Sequence, residues 1–119
     1  MDKLILINLQ DYINEHIKMQ LNCFNLSKKS DELGYPGFTH FFQVQAQDEF
    51  LHQRRIMNYL LDRGQNYKIN SIEVNTPELK NIEDILNVEI ILQILQMNLQ
   101  IMQKIKWTLQ QLNFMNYYN

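Results

Sequence analysis

The stretch GQNYKINSIEVNT, residues 64 to 76, limits the fold more than any other part of the sequence. It has little helical periodicity, yet it stands between two long segments that have it strongly. A connection of about 13 residues is much longer than a helical hairpin needs. Fully extended it reaches roughly 40 Å. The helix before it, at about 1.5 Å per residue, is also roughly 40 Å long. The segment can therefore run back along that whole helix and start the next one parallel to it, as in bundles with a long crossover.

The remaining glycines and prolines fit three helices in one domain spanning 1–119. Asp2 is an N-cap for a first helix over 1–29, with Leu6, Leu9, Ile13, Ile17, Leu21, Phe24 and Leu26 as its apolar positions. Lys28 and Lys29 suit the negative end of its dipole. SDELGYPG is the turn, and Pro36 opens a second helix over 36–63 that Gly64 caps. Phe38, Phe41, Phe42, Ile56, Tyr59 and Leu60 give that helix its buried face. The crossover takes 64–76. Thr76-Pro77-Glu78 then starts a third helix over 77–112, with Leu79, Ile82, Ile85, Leu86, Ile90, Leu95, Leu99, Met102 and Ile105 as its stripe.

Composition excludes several function classes. The net charge of -2 leaves no basic stripe for nucleic acid. Cys23 is the only cysteine, so an intrachain disulfide or a zinc ribbon is out of reach. The start, MDKLILINLQDY, has four consecutive apolar residues between charges, which is neither a secretory h-region nor a membrane span. The expectation is a cytoplasmic protein with no membrane partner. No Gly-rich phosphate loop and no Ser-His-Asp or Cys-His arrangement is present.

The stretch AQDEFLH, residues 46 to 52, carries the chemistry. Glu49 lies a heptad after Phe42 and a heptad before Ile56, so a helix turns all three toward one surface. A carboxylate facing a core needs a cation or a hydrogen-bond network to compensate it. His52, three residues on, shares its face.

INEHIKMQLNCFNL, DELGYPGFTHFFQVQAQDEFLH and YLLDRG resemble the first two helices of bacterial-type non-haem ferritins. The resemblance covers residues 1 to about 93 and is strongest from 31 to 64. It implies an all-α, ferritin-like antiparallel helical bundle and an iron-storage subunit of a hollow homo-oligomeric shell. Ferrous iron (Fe2+) would be bound in the bundle, oxidised by a ferroxidase centre and stored as Fe3+. Carried over by the resemblance, Glu49 matches the carboxylate that bridges two irons and His52 the single imidazole ligand. The Glu-x-x-His pair on bundle helices is itself a known feature of ferritin-like carboxylate sites.

The other family ligands have changed. The first-helix glutamate falls at Gln20; a shifted register nominates Glu15 instead but spoils the match through Leu21 and Leu26. The segment after Leu26 is about one turn short. Ser27 stands where the family has a tyrosine beside the metals. The third-helix ligand falls at Gln93, with Glu89 one turn earlier as a substitute or an ordinary surface acid. A neutral amide supplies none of the charge that holds iron, so ferroxidase activity is expected to be weak or lost. His16 and His40 read as surface or satisfied residues, and Met97 and Met102 as core filler.

The sequence stops at Asn119, where the family begins its fourth helix. The expectation is three helices with an open apolar stripe, which aggregates or seeks a partner such as a full-length ferritin. Beyond Val88 the charged residues are Glu89, Lys104 and Lys106, where ferritins are acid-rich. A reading frame shifted by two nucleotides over Gln96–Asn116 permits an acid-rich, ferritin-like string; obligatory stops in the coding DNA would remove that alternative. The remaining readings are a non-catalytic interaction module and a truncated product without independent function.

Overall fold

Asp2 accepts a hydrogen bond from the Leu4 amide at 2.9 Å and opens helix α1, Lys3–Glu32. The computed structural model describes the backbone of residues 2–118 and the side-chain surroundings of residues 2–105 and 108. Helix α1 ends in a Schellman cap: Tyr35 N–H donates to Ser30 O, Gly34 N–H donates to Asp31 O, and Gly34 has φ +84. Pro36 occupies the first turn of α2, Pro36–Asp62. The same device closes α2, with Gln65 N–H on Leu60 O, Gly64 N–H on Leu61 O, and Gly64 at φ +67. The all-α expectation holds: there are three helices and no strand among the described residues.

Two units make up the chain, residues 1–85 and 86–119. In the first, α1 and α2 form an antiparallel hairpin. Rising positions on α1 meet falling positions on α2: His16 with Glu49, Cys23 with Gln45, Ser27 with Thr39. The buried seam on α2 is Phe42, Ala46, Glu49 and Gln53, spaced by four, three and four residues, with Leu60 a heptad further on. On α1 the buried residues are Ile13, Asn14, His16, Met19, Cys23, Leu26, Ser27 and Ser30. The seam is therefore more polar than apolar counting suggests. Phe24 and Phe41, expected inside, are 48% exposed because they fall off these seams.

The crossover follows α1. Asn14 holds it like a ladder rung, donating to Lys68 O at 3.2 Å and accepting from Asn70 N–H at 2.9 Å. Lys68 N–H donates to Gln10 Oε1, and Asn25 donates to Thr76 Oγ1. From Asn14 to Asn25 the helix rises about 17 Å, and extended chain from Asn70 to Thr76 spans about 20 Å. The two keep pace, as the return run requires.

Helix α3 spans Ile82–Tyr118 and starts later than Pro77. The Thr76 hydroxyl accepts from Asn25 and so does not cap a helix. Asn81 caps instead: its Oδ1 accepts from Asp84 N–H at 3.0 Å, while the Asp84 carboxylate accepts from Lys80 N–H at 2.9 Å. In the second unit Ile90, Ile91, Ile94, Leu95, Met97, Ile101, Met102 and Ile105 are exposed. Met97 and Met102 are thus surface residues and not core filler. By length and composition Ile82–Ile105 is apolar enough to cross a membrane, a test that core helices of soluble proteins also pass.

Candidate metal centre

Glu49 is 3% exposed, so the seam position expected from Phe42 and Ile56 does turn inward. What faces it from α1 is His16, 0% exposed, whose Nδ1–H donates to Glu49 Oε2. His52, three residues along α2, lies on the same face with its Nδ1 at 3.8 Å from the same oxygen. The two imidazoles meet edge to face, ring centroids 5.3 Å apart. One ligand atom from each of His16, Glu49 and His52 lies within 4.8 Å of the other two. The ring of Tyr12 packs on His16 at 4.1 Å. Burial, then the Glu49 charge, raise the Tyr12 phenol above its ordinary range, against a smaller opposing effect of Arg55.

The cluster has the form of a ligand set. His52 Nδ1 is buried without a hydrogen-bond partner, and so is His16 Nε2. A separation of 3.8 Å is too long for a hydrogen bond. It is close to the roughly 3.4 Å between two donors on a tetrahedral ion with bonds of about 2.1 Å. Imidazole nitrogen and carboxylate oxygen both suit divalent first-row metals. One ion among the three would satisfy the orphaned nitrogen and compensate the buried acid.

His16, read from the sequence as a surface or satisfied residue, is fully buried, with Nδ1 satisfied by Glu49 and Nε2 without a partner. It precedes Gln20 by four residues, one helical turn, and the register of the hairpin sets His16 against Glu49 and Gln20 against Gln53. Its sequence signal was its place in the seam with Ile13, Cys23 and Ser30. His40 is exposed, as expected. Gln20 is half-buried, and its Oε1 accepts from Gln53 Nε2 at 2.8 Å. Ser27 donates to Thr39 O. On α3, Gln93 is exposed and its amide donates to Glu89 Oε1 at 2.7 Å. Glu89 is 9% exposed, contrary to a surface acid.

The ferritin-like domain family matches residues 7–113. A bacterial non-heme ferritin of Staphylococcus haemolyticus is 31% identical over 72 residues, 60% of this chain and 40% of that protein. One from Bacteroides fragilis (strain 638R) is 33% identical over 70 residues, 56% of this chain and 44% of that protein. A probable bacterial non-heme ferritin-like protein of Haemophilus influenzae is 26% identical over 83 residues, 66% of this chain and 50% of that protein. The chain spans half or less of the length of these curated relatives. No solved structure matches it. With a His-Glu-His cluster, two of its three members buried, in an antiparallel helix pair, and a family match running from α1 into α3, the chain belongs to the ferritin-like family.

Proposed function

We propose that this chain takes up ferrous iron between α1 and α2, as a ferritin-type iron-storage protein whose ferroxidase activity is weak or lost. The observation that carries this reading is the His16–Glu49–His52 cluster, with His16 and Glu49 buried and the partly exposed His52 leaving its Nδ1 unpartnered. Glu49 and His52 are its ligands, joined by His16. Gln20 and Gln93 are the weaker, amide members of the family's ligand set, and each amide is already engaged, by Gln53 and Glu89. Charge that would hold and oxidise a pair of irons is thereby reduced. A cytoplasmic location and homo-oligomeric assembly belong to the same reading, by similarity to the bacterial non-heme ferritins.

The test is ferrous iron added to purified protein, first under argon and then in air. Wild-type protein is expected to retain iron under argon and Glu49→Gln to lose it. In air, the ferric-oxo absorbance should rise no faster than in buffer. Equal retention by the two proteins would remove iron from the α1–α2 centre.

A second reading is favoured by the exposed apolar side chains of Ile90, Ile94, Ile101 and Ile105. An exposed apolar surface of this kind marks an interaction site, and the chain would then be a non-catalytic subunit that co-assembles with a full-length ferritin. Co-purification with an intact ferritin shell supports it, and a stable monomer in solution counts against it.

A further inference from the structure

Two imidazoles and one carboxylate make a different centre from a cluster of carboxylates. Among the described residues of the first unit, Glu49 is the one buried acid. The Gln20–Gln53 amide pair adds no charge. With neutral imidazoles, one divalent ion leaves the centre at a net charge of about +1, a ferric ion at about +2 and two divalent ions at about +3, and burial penalises each added charge. The charge balance thus favours one ion and opposes both a second ion and oxidation to the trivalent state. Two histidines with one carboxylate and an open position serve zinc and mononuclear ferrous iron alike, so the donor set agrees with a single ion without choosing between them. The order between metals comes from affinity, which at a given site rises from ferrous iron through cobalt and nickel.

We propose that the His16–Glu49–His52 centre takes a single divalent late transition-metal ion, holding zinc and cobalt ahead of ferrous iron, and is not a two-iron oxidation centre. This rests on the reading that the α1–α2 centre binds metal, and adds to it the number and the kind of ion.

The test is a titration of the full chain, stripped of metal, under argon. Cobalt(II) is followed by its visible absorption, and zinc(II) and ferrous iron by equilibrium dialysis with metal analysis. One cobalt per chain is expected, with visible bands that one equivalent of zinc abolishes. Zinc should displace ferrous iron at no less than a tenfold lower concentration. His16→Ala should weaken cobalt binding by more than about 100-fold, beyond the 10–100-fold typical of losing a ligand's outer partner, and His40→Ala, at an exposed position, should leave it unchanged. Should His16→Ala fail to fold, His52→Ala at its partly exposed position carries the same comparison. Two ferrous ions per chain that resist equimolar zinc would overturn the one-ion inference and leave metal binding standing. No binding of any of the three metals would overturn metal binding itself.

Discussion

Replacing Asn14 with alanine tests how the crossover is held. The Asn14 side chain makes three hydrogen bonds, to Gln10 O at 2.8 Å, Lys68 O at 3.2 Å and Asn70 N–H at 2.9 Å. The Gln10 carbonyl lies inside α1, so loss of its extra donor costs little. Lys68 and Asn70 are exposed residues, and water can replace Asn14 at both. Each of those bonds is then worth its net value of about 0.5–1.5 kcal/mol, without a buried-orphan penalty. Alanine returns about 0.5 kcal/mol through its better helix propensity. The expected loss is about 1–2 kcal/mol. Urea unfolding followed by circular dichroism measures it, and an unchanged slope shows that the same surface is exposed on unfolding. Hydrogen exchange at the Asn70 amide should accelerate well beyond that at the Leu26 amide. A loss below about 0.3 kcal/mol with Asn70 protection unchanged would refute the clamp and leave the crossover held by its other contacts, the Gln10 and Asn25 hydrogen bonds among them.

Two further perturbations address the site's surroundings and the helix ends. Tyr12 is raised above its ordinary 10.0 by burial first and by Glu49 second. Its contribution to stability is therefore present below pH 10 and is lost as pH rises through the folded value; ultraviolet titration should show its phenolate later than that of a free tyrosine. Glu49→Gln should bring the Tyr12 midpoint down without restoring 10.0, and a wild-type midpoint at or below 10.0 would contradict the placement of Tyr12 beside the acid. Gly64→Ala meets no atom within 4 Å, so its cost comes from the backbone at φ +67 alone. A loss of about 1 kcal/mol in thermal unfolding is expected, and a stabilised variant would contradict the left-handed cap.

Local chemistry made much of this architecture readable in advance. The Asp2 cap, the Gly64 cap and Pro36 at the start of α2 each depend on a few adjacent residues, and each stands where expected. The inward turn of Glu49 followed from its seven-residue spacing to Phe42 and Ile56. His16 was not legible in the same way, because its partner is set by the register between two helices. That register depends on the length of the turn, which no window along α1 contains. The start of α3 was misplaced for a related reason: the Thr76 hydroxyl binds Asn25, a residue distant in sequence. A polar seam of histidine, glutamine, cysteine and serine also hid the buried side of α1 from apolar counting. Where polar residues are gathered inward, the site and the failure of simple patterning share one cause.

X-ray absorption at the metal edge of the cobalt- or zinc-loaded full chain addresses the centre most directly. A metal held by His16, Glu49 and His52 gives a first shell of nitrogen and oxygen near 2.0–2.1 Å with outer-shell scattering from two imidazoles, falling to one imidazole in His16→Ala. A spectrum without imidazole scattering, or one that the His16 substitution leaves unchanged, would place the metal elsewhere and remove the α1–α2 centre from this protein's chemistry.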